Sequence, residues 1–242
     1  MTYCIGMLLD EGLVLLSDSR TNAGVDHINT FRKMTRWQRP GDRVLVLLTA
    51  GNLAISQSVV NLLNERSAAD EGAPHLLNAP NLFETAARIG EAVREVYRRD
   101  ADVLKEFNVE FNISMILGGQ IRGEAPRLFQ IYSPGNFIEA TRETPYFQIG
   151  ESKYGKPILD RVIRPDIPLD EAAKCALISM DSTIRSNLSV GLPLDLVYVR
   201  RDELRVDRHL SIDANTPYFA MLRTRWGEAL RGVFQELPNP VW

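Results

Sequence analysis

Cysteine, histidine and long apolar runs are all scarce in this chain of 242 residues. Its two cysteines, Cys4 and Cys175, are far apart and supply neither a disulfide framework nor a zinc-ligand spacing. His27, His75 and His209 are scattered and read as surface or loop residues, so no metal site is expected. No stretch approaches the roughly 18 apolar residues that span a bilayer. The opening MTYCIGMLLDEG has no basic segment, which argues against a secretory signal. A dominant charge sign is lacking too: the net charge is −3, and nothing suggests binding to nucleic acid or an anionic membrane. Gly118-Gly119 is too short for a phosphate cradle. These absences lead to the expectation of a cytoplasmic protein.

What is present is enough apolar material, 45% of residues, for a sizeable core. Thr2 to Leu9 and Leu13 to Asp18 read as strands joined at Asp10-Glu11-Gly12. A polar loop, Ser19 to Thr30, leads to an alternating strand, 32–38. The nearly continuous apolar run Arg43 to Thr49 then reads as a strand covered on both faces. Helices are expected from Leu53 and, with Asn81 as N-cap, from residue 82 onward. A second group of strands follows over 109–118, 127–133, 137–139 and 146–149. Next come helices from about Lys153 and over 169–185, a strand pair over 194–200 and 203–210, and a final helix, 218–237. The last helix has Phe219, Leu222, Trp226, Leu230 and Phe234 as its stripe. No linker or repeat divides the chain, so residues 1–242 are expected to form one domain. Its class is α+β, with helix pairs on the outer faces of two stacked sheets.

The N-terminus holds the chemistry. Removal of Met1 would leave Thr2 with a free α-amine beside its own hydroxyl, so that the amine can take the proton as the hydroxyl attacks a carbonyl. Asp18 ends the strand that returns beside Thr2, and Lys33 follows in a strand able to run near both. Gly51 ends a buried strand at the start of a helix, where a backbone N–H can face a developing oxyanion. Cys4 is not N-terminal and sits in a strand, so it reads as a small buried hydrophobe. Arg94, Arg98 and Arg99 read as a solvated helix face or a contact with a neighbouring subunit.

The order Thr2, Asp18-Ser19-Arg20-Thr21, Lys33 and then Ala50-Gly51 before a helix resembles a proteasome β-type subunit. With Tyr-Cys-Ile-Gly after Thr2 and Phe31-Arg32-Lys33-Met34 further on, it most resembles the bacterial Anbu, or ancestral β-subunit, family. The resemblance implies a four-layer αββα sandwich of the N-terminal-nucleophile hydrolases and a threonine-type peptidase or amidase without a cofactor. It makes Thr2 the nucleophile, Lys33 its activator, Asp18 the partner of Lys33 and Gly51 the oxyanion donor. The Thr-to-Lys interval is one residue shorter than in the usual β-subunit, which leaves Arg32 as an alternative residue facing the site. Arg20, Thr21 and Asn22 would meet an extended peptide added as a strand. Ser152, in Gly150-Glu151-Ser152, matches a supporting serine, with Glu151 as an insertion in the motif. Ser189 matches a second serine, whereas the Asp that precedes it in the family is replaced by Ser186 or bypassed by Asn187.

The expected partners are a peptide or amide substrate and further copies of the chain in a ring or open helical turn, with no nucleic acid and no membrane; an ATPase partner is left open. Two alternatives accompany this reading. One is a specialised hydrolase or transpeptidase of a small peptide or amide. The other is a catalytically weak or silent subunit of an assembly, for which the final helix, Phe234 and Trp242 are candidate contact surfaces.

Overall fold

The computed structural model describes residues 1–22, 28–68 and 72–242, with Asn22 and Ile28 described by their backbone alone. The opening hairpin forms as the sequence predicts: β1 (Tyr3–Leu9) pairs antiparallel with β2 (Gly12–Asp18). Two short strands, β3 (Arg20–Asn22) and β4 (Ile28–Thr30), stand apart as a ribbon where the sequence suggests only a loop. β5 (Met34–Arg39) and β6 (Arg43–Gly51) follow, then α1 (Leu53–Ala68) and, after a 3-10 turn at Leu76–Asn78, α2 (Leu82–Glu106). Asn81 caps α2 as expected, its Oδ1 accepting from Glu84 N at 2.7 Å.

Next come β7 (Ile113–Ile121), β8 (Arg127–Ile131), β9 (Phe137–Glu139) and β10 (Tyr146–Gly150). The chain closes with α3 (Lys156–Val162), α4 (Leu169–Ser186), β11 (Leu194–Arg200), β12 (Arg208–Ile212) and α5 (Pro217–Glu236). β12 begins later than the pattern over 203–210 implies. Asp202 and Leu204 adopt positive φ angles of 66° and 49°, which turns the backbone through this stretch and delays pairing.

The strands form two five-stranded antiparallel sheets, in the orders β10-β1-β2-β11-β12 and β5-β6-β7-β8-β9. Strand period then sorts the side chains into layers. Tyr3, Ile5, Met7, Val14 and Leu16 pack outward against α3, α4 and the start of α5. Leu45, Leu47, Met115 and Leu117 pack outward against α1 and α2. Leu13, Leu15, Val44, Val46, Leu48 and Ile116 meet between the sheets. The unbroken apolar run in β6 thus hides a strict alternation between two cores. Gly6 lets the sheets approach: a Cβ there would lie 2.8 Å from Ile116 and 2.9 Å from Leu128 of the facing sheet. The result is the four-layer αββα sandwich implied by the resemblance.

The stripe of α5 is only partly used. Phe219 and Leu222 are buried, whereas Leu230 and Phe234 are 52% and 77% exposed. Among the described residues, no helix is long and apolar enough to cross a membrane.

Candidate active site

Thr2 lies just before β1. The register Tyr3↔Gly150 brings it against the end of β10, and Glu151 N donates to its carbonyl at 2.8 Å. Gly150 permits this approach, because its φ of +82° suits glycine and a Cβ would lie 1.9 Å from the Thr2 oxygen. Tyr3 fixes the other side of the strand. Its hydroxyl is 2.7 Å from Ser179 Oγ of α4, it also accepts from Gln148, and burial pushes the phenol pKa up. Thr2 is nearly buried, at 7% exposure, while Met1 is 63% exposed.

Lys33 precedes β5 and points back to the end of β2. Its ammonium donates to Asp18 Oδ1 at 2.7 Å, to the Arg20 carbonyl at 2.6 Å and to the Met1 carbonyl at 3.4 Å. All three of its donors therefore find acceptors. Asp18 also accepts from Tyr3 N at 3.0 Å and Gly191 N at 3.3 Å. Burial pushes the Asp18 carboxyl pKa up, and the Lys33 ammonium and these two N–H groups oppose that rise. Lys33 is thereby joined to the carbonyl of the residue before Thr2 and to a carboxylate anchored on the first residue of β1.

Arg32 and Lys33 take different partners in the structure. The Arg32 guanidinium pairs with the buried Asp195 of β11, which also lies 3.0 Å from His209 Nε2, and Lys33 takes Asp18. Gly51, at φ +110°, lines a cavity of about 470 Å³ with Met1, Thr2, Ala50, Asn112, Ser114, Gly150 and Glu151. Its conformation is required locally, since a Cβ would lie 2.3 Å from the Asn112 carbonyl.

The remaining sites expected from the sequence fall elsewhere around this centre. Arg20 gives its carbonyl to Lys33, while its guanidinium donates to Leu188 O at 3.0 Å and covers Gly191. It braces the 187–191 turn. Thr21 is in the β3–β4 ribbon, and its Oγ1 is buried with no hydrogen-bond partner among the described residues. The Asn22 side chain and His27 lie outside the described residues. Ser152 sits in the turn before α3, held by Ser152 N to Gly150 O at 2.9 Å and Lys156 N to Ser152 O at 3.0 Å. Ser189 N donates to Asn187 Oδ1 at 2.9 Å. Neither serine hydrogen-bonds to Thr2, Lys33 or Asp18 among the described residues. Asn187, not the exposed Ser186, reaches the N-terminus, with Nδ2 3.7 Å from Met1 Sδ.

Glu151 is legible in the sequence only as an insertion, and Asn112 and Ser114 carry no local signal, because they reach the site through the β6–β7 pairing. The described residues contain no group of three or more metal-ligating side chains.

A Thr at the head of a strand, at the edge of two stacked sheets, is the arrangement of the proteasome β-type fold. A family model described as "Proteasome subunit" matches residues 84–199. "Proteasome subunit beta 2" of Nitrosopumilus maritimus is 24% identical over 208 residues, covering 85% of this chain and 89% of that protein. A solved structure of Anbu from Yersinia bercovieri is similar at 54% identity over 99% of both chains, with a TM-score of 0.93. The "Helical Assembly of the Anbu Complex from Pseudomonas aeruginosa" is similar at 49% identity, covering 99% of this chain and 98% of that one, with a TM-score of 0.94. The chain belongs to the Anbu, or ancestral β-subunit, family of proteasome-type proteins.

Proposed function

We propose that the chain is an N-terminal threonine amide-bond hydrolase that acts on peptides after Met1 has been removed. The observation that carries the reading is the Lys33 ammonium, held on Asp18 Oδ1 at 2.7 Å and reaching the Met1 carbonyl at 3.4 Å, next to Thr2. Lys33 favours the ionised form of the Thr2 hydroxyl, and the freed α-amine takes its proton. The Thr2 oxygen attacks the amide carbonyl, and the Gly51 N–H steadies the resulting oxyanion. The α-amine then protonates the departing amine, leaving an ester on Thr2. Water or another amine resolves that ester, so hydrolysis and transpeptidation share the same first half. Thr21 lies along the approach for an extended peptide, with Ser152 and Ser189 as supporting residues of the two turns beside Thr2.

The copies of this chain assemble with one another. The similar Pseudomonas aeruginosa protein is described as a helical assembly, and the outer half of α5 leaves Leu230, Val233, Phe234 and Leu237 exposed here. A cytoplasmic setting suits the two buried, unpaired cysteines. Incubating the Met1-free protein with a peptide-amide library tests the activity. Products that form and then disappear in Thr2→Ala support it. A library left intact points to a silent assembly subunit.

A further inference from the structure

The cavity beside Thr2 has an acidic wall that the proposed reaction does not use. Glu151 follows the glycine at the end of β10 and lines the same cavity as Thr2, Gly51, Asn112 and Ser114. Its side chain is only 16% exposed. Its ion-pair partner among the described residues is Lys153, 3.8 Å away, whose own side chain is 70% exposed and largely in solvent. That spacing is a loose ion pair, weaker than a hydrogen bond, and its solvated lysine adds little energy. No hydrogen bond within the described residues occupies the Glu151 carboxylate, the Asn112 amide or the Ser114 hydroxyl. Among the residues lining the cavity, no side chain is cationic; positive charge there comes from the N-terminal α-amine, on Met1 or, once Met1 is removed, on Thr2, which the proposed reaction already uses.

A carboxylate so enclosed is poorly compensated by the protein and gains most from a ligand that brings positive charge and donors. The cavity volume, about 470 Å³, is within the usual range for a small-molecule or side-chain pocket. The position is fixed by main-chain bonds as well, since Glu151 N is tied to the Thr2 carbonyl at 2.8 Å. The Glu151 backbone is therefore held beside the nucleophile.

We propose that Glu151 is a specificity-determining residue that selects peptides or amides with a cationic group, a lysine- or arginine-like side chain or a free amine, next to the scissile bond. Asn112 and Ser114 complete the ring of acceptors around that cation. This inference rests on Thr2 being the nucleophile, and the experiment separates the two.

Peptides identical except for Lys, Arg, norleucine or Glu on either side of the scissile amide are incubated with the Met1-free protein and with Glu151→Gln, and products are read by mass spectrometry. In parallel, acetyl-lysine methylamide and acetyl-norleucine methylamide are titrated against both proteins by NMR. The expected result is cleavage of a cationic peptide about tenfold to a hundredfold faster than norleucine, from a charge-assisted hydrogen bond. Glu151→Gln erases the preference, and the lysine amide binds more tightly than the norleucine amide only when Glu151 is present. Equal cleavage of all peptides, or a preference that survives in Glu151→Gln, overturns the proposal. If no peptide is cleaved, the Thr2 reading fails while the titration still decides the pocket: equal binding of the two amides overturns it, and Glu151-dependent binding of the lysine amide supports it.

Discussion

Lys33 Nζ lies 2.7 Å from Asp18 Oδ1, and the two side chains are 5% and 0% exposed. A pair this enclosed is expensive to break, because the surviving charge has no solvent to turn to. Lys33→Ala strands the buried Asp18 charge and is expected to lose about 3–5 kcal/mol of stability. Asp18→Asn is expected to lose less, because burial already favours a neutral group at this position and Lys33 keeps the Arg20 and Met1 carbonyls. Replacing both partners by neutral residues, as in Asp18→Asn with Lys33→Met, is expected to lose less than Lys33→Ala, since no buried charge is left unpaired. Thermal melts of the three variants check this, and all three should fail to label Thr2 with an electrophilic peptide. A Lys33→Ala protein that is folded and still labels normally would remove Lys33 from the mechanism.

The same pair gives a pH dependence. Burial raises the pKa of the Asp18 carboxyl, against the pull of Lys33 and of the Tyr3 and Gly191 N–H groups. An acid raised in this way contributes stability below its unfolded value, near ~3.9, and loses that contribution as pH rises through the folded value. Holding Lys33 requires the other form, the carboxylate. Thr2 labelling should therefore fall on acidification twice, through the α-amine near ~8 and again through Asp18 at a pH above the usual carboxylate range, while Asp18 itself contributes no loss of stability over its interval. Labelling rates and melts recorded at the same pH values separate the two effects. An acid limb at or below ~3.9 contradicts the assignment.

Gly150 and Gly123 form a matched comparison, with φ of +82° and +87°. A Cβ on Gly150 would lie 1.9 Å from the Thr2 carbonyl, whereas a Cβ on Gly123 meets nothing within 4 Å. Gly123→Ala should cost about 1–2 kcal/mol of backbone strain and leave Thr2 labelling unchanged. Gly150→Ala should cost more and reduce labelling, since it must displace Thr2 or break its bond to Glu151 N. Equal melting and equal labelling of the two variants would show that the Thr2 carbonyl is free to shift.

The two thiols should be inert in the folded protein. Cys4 is fully buried and its thiol pKa is pushed up by desolvation, and burial pushes the Cys175 thiol up to about 12. Iodoacetamide at pH 8 is expected to modify neither until denaturant is added. Native alkylation of Cys4 with loss of Thr2 labelling would revive Cys4 as a nucleophile.

The elements legible in the sequence are those with a periodic apolar face or a local cap: the β1–β2 hairpin, the β6 run, and α2 with Asn81 before it. The β3–β4 ribbon was not legible, because Arg20-Thr21-Asn22 has no apolar alternation and pairs with only one strand. In the site, the order of Thr2, Asp18 and Lys33 was readable, but the choice between Arg32 and Lys33 was not. Asp195 pairs with Arg32 from β11, 163 residues away along the chain, a contact that local pattern does not encode. Glu151 was visible only as an extra acid. Its entry into the Thr2 cavity depends on the pairing of Tyr3 with Gly150, a long-range register that local pattern does not encode.

The central claim is that Thr2, once freed, is the nucleophile. Its most direct test is intact-mass analysis of the Met1-free protein after incubation with a peptide epoxyketone, which requires both the hydroxyl and the α-amine. The account predicts one added mass increment, located on Thr2 and absent from Thr2→Ala and from protein that retains Met1. A Met1-free protein that stays unmodified across epoxyketones with cationic, apolar and acidic side chains would contradict it.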